Sequence, residues 1–542
     1  MRLIWVLLVF LLLGFQASGQ SFPSYTGLIT IKAFPQNKQI CTRQKGTNTA
    51  KVLIAGTVAS SSNYDQIKLS VSVDSLGTFV DTFFSLSYEG DSANFQLEYD
   101  LEANLLNHQF ILTGVQGSTE VAEWIATDVV AGDIYIINGQ SNAQAFLSAK
   151  PEDVVEFTRS YFNDQWNDLG HSFPGQWGAH LAKVMSENLG YPIGIFNFAD
   201  GAQPISYFQK NVENPAAGNY GGMLSRLDAA GVDAPLAVFW FHGEANGWDT
   251  STETYYNSFD TLRQSWKDDF GIEGAFLYQV RRLGCAHPNP YIFEAQRLLA
   301  EQIPDIHIMS TTNADQDSCH YRWEDGYRVL AERMAQVVKA KLYGQVIDNQ
   351  DFAPNIDKIE RFNNTTLKMT FKPSGVPLNI IGAPAMDFRH EESGHAPSIV
   401  WADGDTLVVQ FDSIVNVGEH FSYLSHPGPT ADWVVTSSGV GILEFYNQPI
   451  VDYMVGLSSS LTQKTNLLMS PNPTDNSCFI QWNEPEIGEI KVFDPLGRPV
   501  VAKVKKIMDS GFYLDLSFLP QGLYQVIVQS EKTVGVGRIV KW

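Results

Sequence analysis

Short apolar or alternating runs, "KVLIAGTV", "IKLSVSV" and "FQLEYDL", are separated by Ser, Asn, Asp and Gly clusters early in the chain. This pattern predicts an all-β region over 20–128. The character changes at Val129. From 129 to 345 the apolar runs "DIYIIN", "IGIFNFA", "LAVFWFH", "AFLYQV" and "IHIMST" alternate with helical patterns. In "GYRVLAERMAQVVKAKLYG", Val329, Leu330, Met334, Val337 and Val338 fall near helical spacing, with Gly344 as C-cap. "GAHLAKVMSENLG" is a second predicted helix. Strands alternating with helices imply a parallel sheet covered on both faces. β character returns over 346–455 with "LKMTFKP", "TLVVQF" and "GILEFYN". The polar stretch "GLSSSLTQKT" reads as a linker, 456–466, and 467–542 is again β-like. The fold class expected is therefore multidomain, a central α/β domain flanked by all-β domains.

At 542 residues the chain exceeds one core. Its 44% hydrophobic and 18% charged residues suit a folded protein. A net charge of -23 argues against nucleic acid or an anionic membrane as a bulk partner. Residues 1–19 read as a signal peptide: Arg2, the apolar run Leu3–Phe15, then the small residues Ala17-Ser18-Gly19. The run is short of the roughly 20 residues that span a bilayer, so no span is expected in the mature protein. Four cysteines are too few for a disulfide scaffold, and without a CxxC pair no metal site is expected.

In an open parallel sheet, ligands bind at the carboxyl ends of the strands. The five runs deliver there, in turn, Ser141; Asp200-Gly201; Gly243, Glu244 and Asn246; Arg281 and Arg282; and the "DQDSCH" loop with Asp317 and His320. A serine hydroxyl becomes a nucleophile when a neutral histidine takes its proton. An aspartate on the other ring nitrogen fixes the tautomer. The developing oxyanion needs preorganised donors, which the amides of Ser141 and Gly201 and the Asn246 side chain can supply. Alone, Ser141 reads as a turn serine capping the next helix; Asp317 and His320 in the same domain favour the nucleophile. Asp317 is preferred over Asp315, a turn residue in the same loop.

The hydrolase elbow GxSxG is absent. Instead Gly139-Gln140-Ser141-Asn142, then Gly201, Asn246 and Asp317-x-x-His320 stand in the order of the SGNH (GDSL-like) hydrolase superfamily. "GDIYIINGQSNA" and "WFHGEAN" resemble its sialate O-acetylesterase-like, carbohydrate acetylesterase branch. The resemblance implies a three-layer αβα domain over 129–345 and hydrolysis of O-acetyl esters on an acetylated glycan. It implies Ser141, Asp317 and His320 as catalytic residues and Ser141, Gly201 and Asn246 as the oxyanion hole, with no cofactor. Two departures stand out. His242 replaces the glutamine usual before Gly-Glu, and "FADGAQPISYF" is looser than the double glycine of the family.

Gln140, His242, Glu244, Arg281 and Arg282 are candidate substrate contacts, the arginines for a sugar carboxylate. Their alternative is a solvated pair at the sheet edge, and Glu244 reads rather as a residue orienting loops. Cys285 and Cys319 each follow a strand end on the same rim, and export permits oxidation, so a disulfide between them is expected. "SPNPTDN" and "LPQGLYQVIV…GRIVKW" resemble the C-terminal sorting domain of type IX secretion, found in Gram-negative bacteria of the Bacteroidetes kind. That resemblance implies the secretion machinery as partner and a secreted or surface-attached protein. The alternatives are an acetylxylan esterase on neutral plant glycans, a non-catalytic carbohydrate-binding surface protein, and an acetyl transferase.

Overall fold

A computed structural model describes residues 26–73, 77, 79–246, 250–282, 289–426, 432–453, 463–482, 489–494, 499–508, 511–529 and 533–542. The expected leader, 1–19, and Cys285 lie outside them. The chain divides into two compact units, one of residues 1–357, 370–407 and 420–448, the other of 358–369, 408–419 and 449–542.

The five apolar runs of the α/β region form strands in the first unit. They are the end of a long strand Thr119–Gly139, then Ile193–Asn197, Ala237–Phe241, Gly274–Gln279 and Ile306–Ser310. Numbering these five in chain order, the sheet runs second, first, third, fourth, fifth, all parallel. Thr158–Phe162 and Gln165–Asp168 extend it beyond the second strand as an antiparallel hairpin. Near-continuous apolar strands are what burial on both faces demands: Ile134, Ile136, Ile137, Phe239 and Leu277 are fully buried.

Among the described residues of this region are six α-helices: α1 Ser141–Gln144, α2 Gln176–Leu189, α3 Gly218–Ala230, α4 Thr252–Phe270, α5 Pro290–Gln302 and α6 Arg328–Tyr343. α2 packs on α6 and α4 on α5. α2, α3, α4 and α6 each end on a glycine in the left-handed region, Gly190, Gly231, Gly271 and Gly344, the usual helix stop.

The expected boundary at 128/129 falls inside one 21-residue strand. Its first part pairs antiparallel with His108–Gln116 of the N-terminal β region. Its last part enters the central sheet beside Ile193–Asn197 and Ala237–Phe241. The segment 420–448 is also fastened to the α/β region. Gln279 exchanges two hydrogen bonds with the backbone of Glu444, at 2.8 and 2.9 Å. Ser310 Oγ donates to Ile442 O at 3.2 Å, and Arg333 Nη2 to Gly439 O at 2.8 Å.

In the second unit, residues 467–542 form two sheets around one core of Cys478, Ile480, Trp482, Phe512, Leu514, Tyr524, Val526, Val528 and Ile539.

Candidate active site

A sheet ordered 2-1-3-4-5 reverses direction of winding between its first and third strands, and a crevice opens there at their carboxyl ends. Here those ends are Gly139 and Phe241, paired in register. Gly139 has φ +128°, and a Cβ on it would sit 2.3 Å from the Phe241 carbonyl oxygen, so only glycine fits. Gln140 N donates to that carbonyl at 3.1 Å, and Ser141 begins α1 directly after it.

Ser141 is not the cap of this helix. Gln140 occupies the N-cap position, and among the described residues Ser141 Oγ has no hydrogen-bond partner. The hydroxyl is half-buried, just past the carboxyl end of the first strand. Its neighbour Asn142 is the fastener. Asn142 Nδ2 donates to Glu244 Oε1 at 2.8 Å and to Cys319 O at 3.2 Å. Asn142 Oδ1 accepts from Tyr327 Oη at 2.7 Å, and its carbonyl accepts from Trp177 Nε1 at 2.9 Å. Asn142 stands in the Gly139–Asn142 block of the sequence, but its fastening role shows only in the fold.

α1 lies against the strand His320–Tyr321, the second arm of a hairpin whose first arm is Gln316–Asp317. Asp317 and His320 face each other directly across this two-residue loop, with Ser318 at φ +59°. Residues so opposed hold their Cβ atoms about 4.5–5.5 Å apart. Asp317 is exposed and His320 half-buried. Burial lowers the His320 pKa below the ordinary imidazole value, while the negative charge of Asp317 pulls it up. Among the described residues no hydrogen bond joins Ser141, His320 and Asp317 to one another. Such bonds are commonly long without substrate and tighten in the Michaelis complex. Asp315 is turned elsewhere: its Oδ2 accepts from Arg322 Nη1 at 3.4 Å.

After Ala145 the chain takes three left-handed steps, Ala145, Phe146 and Leu147, at φ +41°, +58° and +63°. Each costs about 1–2 kcal/mol for a residue with a side chain. Gln176 N donates to Ala145 O at 3.1 Å and Gly175 N to Leu147 O at 2.7 Å, holding the run. Phe146 thereby packs its ring 5.3 Å from the His320 ring.

Gly201 comes to the crevice on the loop after Ile193–Asn197. Asp200 N donates to Gly139 O at 2.9 Å. A Cβ on Gly201 would lie 3.9 Å from Ser141 Cβ and 3.0 Å from Gln144 Oε1, so the Gly201 backbone borders the serine. Asn246 Oδ1 accepts from Ile205 N at 3.3 Å, and its Nδ2 reaches Thr250 Oγ1 at 3.5 Å. This ties Asn246 to the segment that follows Gly201.

Three of the expected substrate contacts do not fit that role. His242 is fully buried; its Nε2 meets Gln203 O and its Nδ1 Tyr255 Oη, both at 3.0 Å. Burial lowers its pKa to about 3, so the ring is neutral and Nε2 carries the proton given to Gln203 O. Arg281 is buried, donates to Ala314 O at 2.6 Å and lies over the Trp433 ring at 4.9 Å, so it is not free to grip a sugar carboxylate. Gln140 is buried, and its Oε1 accepts from Gly243 N at 3.3 Å and Ala245 N at 3.0 Å, joining the two strand ends. Glu244 holds Asn142 while its Oε2 is buried without a hydrogen bond, and burial raises its pKa. Arg282 is half-buried. Cys319 is bonded in a disulfide, whereas Cys41 and Cys478 are free and buried; the expected partner, Cys285, lies outside the described residues.

Two family models match parts of the chain. Residues 131–340 match the family model described as carbohydrate esterase, sialic acid-specific acetylesterase. Residues 469–541 match the secretion system C-terminal sorting domain. No curated protein matches the sequence. Among solved structures, a carbohydrate acetylesterase from Xanthomonas citri is similar at 18% identity and TM-score 0.55, over 77% of this chain and 99% of that one. A family two carbohydrate esterase from Cellvibrio japonicus is similar at 11% identity and TM-score 0.28, over 58% and 98%. By the family match over 131–340 the chain is a carboxylic ester hydrolase of the carbohydrate acetylesterase kind. It carries a type IX sorting domain and is secreted or held at the cell surface.

Proposed function

We propose that this esterase removes acetyl groups from a glycan by a serine mechanism on an SGNH-type αβα domain. Ser141 Oγ attacks the acetyl carbonyl carbon while His320 takes its proton. The oxyanion is met by the amides of Ser141 and Gly201 and by the side-chain amide of Asn246. His320 then gives its proton to the departing sugar oxygen. Water, deprotonated by the same imidazole, attacks the acetyl-serine carbonyl; the acyl–Oγ bond breaks, the imidazolium returns its proton to Ser141 Oγ, and acetate leaves. Asp317 orients the ring and stabilises its charged form. A signal peptide over 1–19 and passage through a Bacteroidetes-type envelope complete this reading.

The observation that carries it is the uncapped serine at the switch point of the sheet, with the Asp317–His320 hairpin packed against its helix. A neutral, half-buried imidazole suits a base that must be unprotonated near neutral pH. The sequestered Arg281 leaves the half-buried Arg282 to meet a sialate carboxylate, so a neutral acetylated glycan is the first substrate to try. Acetate release from acetylated xylan and from O-acetylated sialic acid, by the unmodified protein and by Ser141→Ala, tests both points. Release from neither substrate, or release that survives Ser141→Ala, rejects the proposal. A strong preference for the sialate rejects only its neutral-glycan part.

A further inference from the structure

Phe146 takes no part in the reaction above, yet its placement is unusual. The side chain is 59% exposed, although it is large and apolar. It sits in the middle of the left-handed run Ala145–Leu147, a conformation that costs free energy at every step. Strain of this kind persists only where surrounding structure enforces it, and it collects where a ligand is handled. The enforcing contacts are visible: the amides of Gly175 and Gln176 bind the carbonyls of Leu147 and Ala145. Gly175 itself, at φ +80°, has no room for a Cβ, which would meet the Gln144 carbonyl oxygen at 2.9 Å.

What this framework achieves is the position of one ring. Phe146 meets His320 at 5.3 Å between centroids, tilted by 50°, and stands edge-on to Tyr327 at 6.0 Å. Leu147, 40% exposed, continues the apolar surface.

We propose that Phe146 is a platform for the sugar ring that bears the acetyl group. The inference rests on the esterase reading, in which His320 protonates the departing sugar oxygen. That oxygen must then lie beside the imidazole, and the sugar it belongs to lies where Phe146 exposes its ring. A pyranose turns one face of C–H groups outward, and the electron-rich face of an aromatic ring attracts such partially positive hydrogens. Phe146 therefore binds the alcohol half of the ester and leaves the acetyl half to the crevice at Ser141. An ester whose alcohol is not a ring gains nothing from it.

The test uses the full chain with two esters. One is the faster-hydrolysed of acetylated xylan and O-acetylated sialic acid; the other is ethyl acetate. Phe146→Leu keeps apolar bulk without an aromatic face, and Phe146→Tyr keeps the face. The expected result is a KM about 10-fold higher for the sugar ester with Phe146→Leu. kcat on that ester and kcat/KM on ethyl acetate then stay within about twofold, and Phe146→Tyr behaves like the unmodified protein. Equal losses on the two esters overturn the platform and leave Phe146 as packing for His320. An unchanged KM for the sugar ester overturns it as well. If the unmodified protein cleaves ethyl acetate and neither sugar ester, the glycan reading itself fails and the platform falls with it.

Discussion

Two histidines stand on the same rim in opposite circumstances. His242, at the end of Ala237–Phe241, is fully buried with both ring nitrogens engaged. His320, on the Gln316–Tyr321 hairpin, is half-buried, packed on Phe146 and opposed by Asp317. A general base needs a nitrogen that is unoccupied and a pKa near the working pH. His242 offers neither, since its pKa is held at about 3. It joins the Phe241 strand end to the Gln203 loop that follows Gly201. The difference shows that proximity to a crevice does not make a histidine catalytic; the hydrogen-bond inventory of its two nitrogens decides.

The sharpest way to break the contrast is substitution of the proposed reacting groups. Ser141→Ala and His320→Ala are each expected to lower kcat for acetate release by about 10³-fold or more, with unfolding midpoints nearly unchanged. Asp317→Asn is expected to cost about 10²-fold in kcat. Asp315→Asn, which alters only the contact with Arg322, should leave kcat within about twofold. Equal effects at 315 and 317 would transfer the orienting role away from Asp317.

His242 should respond in stability instead. His242→Ala leaves Gln203 O short of its donor and a cavity in place of a fully buried ring, while Tyr255 Oη keeps Trp240 Nε1 and the residue-242 carbonyl, and is expected to cost about 2–4 kcal/mol in urea unfolding. His242→Gln, whose amide can both donate to Gln203 O and accept from Tyr255 Oη, should lie within about 1 kcal/mol of the unmodified protein at pH 7. It should also be less acid-sensitive. The folded state keeps His242 neutral down to about pH 3, whereas the unfolded chain protonates it near 6.5. Its contribution is therefore fully present above about pH 6.5 and is lost as pH falls, by about 1.4 kcal/mol per unit. Urea midpoints at pH 7 and pH 5 read the difference between the two proteins.

The smallest effect lies in the pH profile of kcat/KM. His320 must be neutral to act, so activity falls as pH drops through its pKa. Burial sets that acid limb below the ordinary imidazole value, and Asp317 pulls it back up. Asp317→Asn should therefore move the limb to lower pH while lowering the plateau. A limb that moves upward would assign the charge effect to another group.

The strands of the α/β region were legible because burial on both faces leaves continuous apolar runs such as "DIYIIN" and "LAVFWFH". The hairpin Thr158–Phe162 and Gln165–Asp168 was not, since Thr158, Arg159 and Ser160 are buried yet polar, and Arg159 is satisfied by the Lys38 carbonyl far along the chain. The placement of Ser141, Gly201, Asp317 and His320 after successive strands was legible from their order in the chain. The sequestration of His242 and Arg281 was not, because Gln203, Tyr255, Ala314 and Trp433 reach them only through the fold. Phe146 escaped notice for a related reason, since nothing in "AQAFLS" announces three left-handed steps.

The strand Thr119–Gly139 has a practical corollary for protein engineering. Because the backbone that leads to Ser141 begins in the N-terminal β region, the protein cannot be trimmed or fused at residue 129 as though a hinge lay there. A designed version would have to take its cut upstream of the strands that lean on that span, so the smallest exchangeable cassette includes both regions.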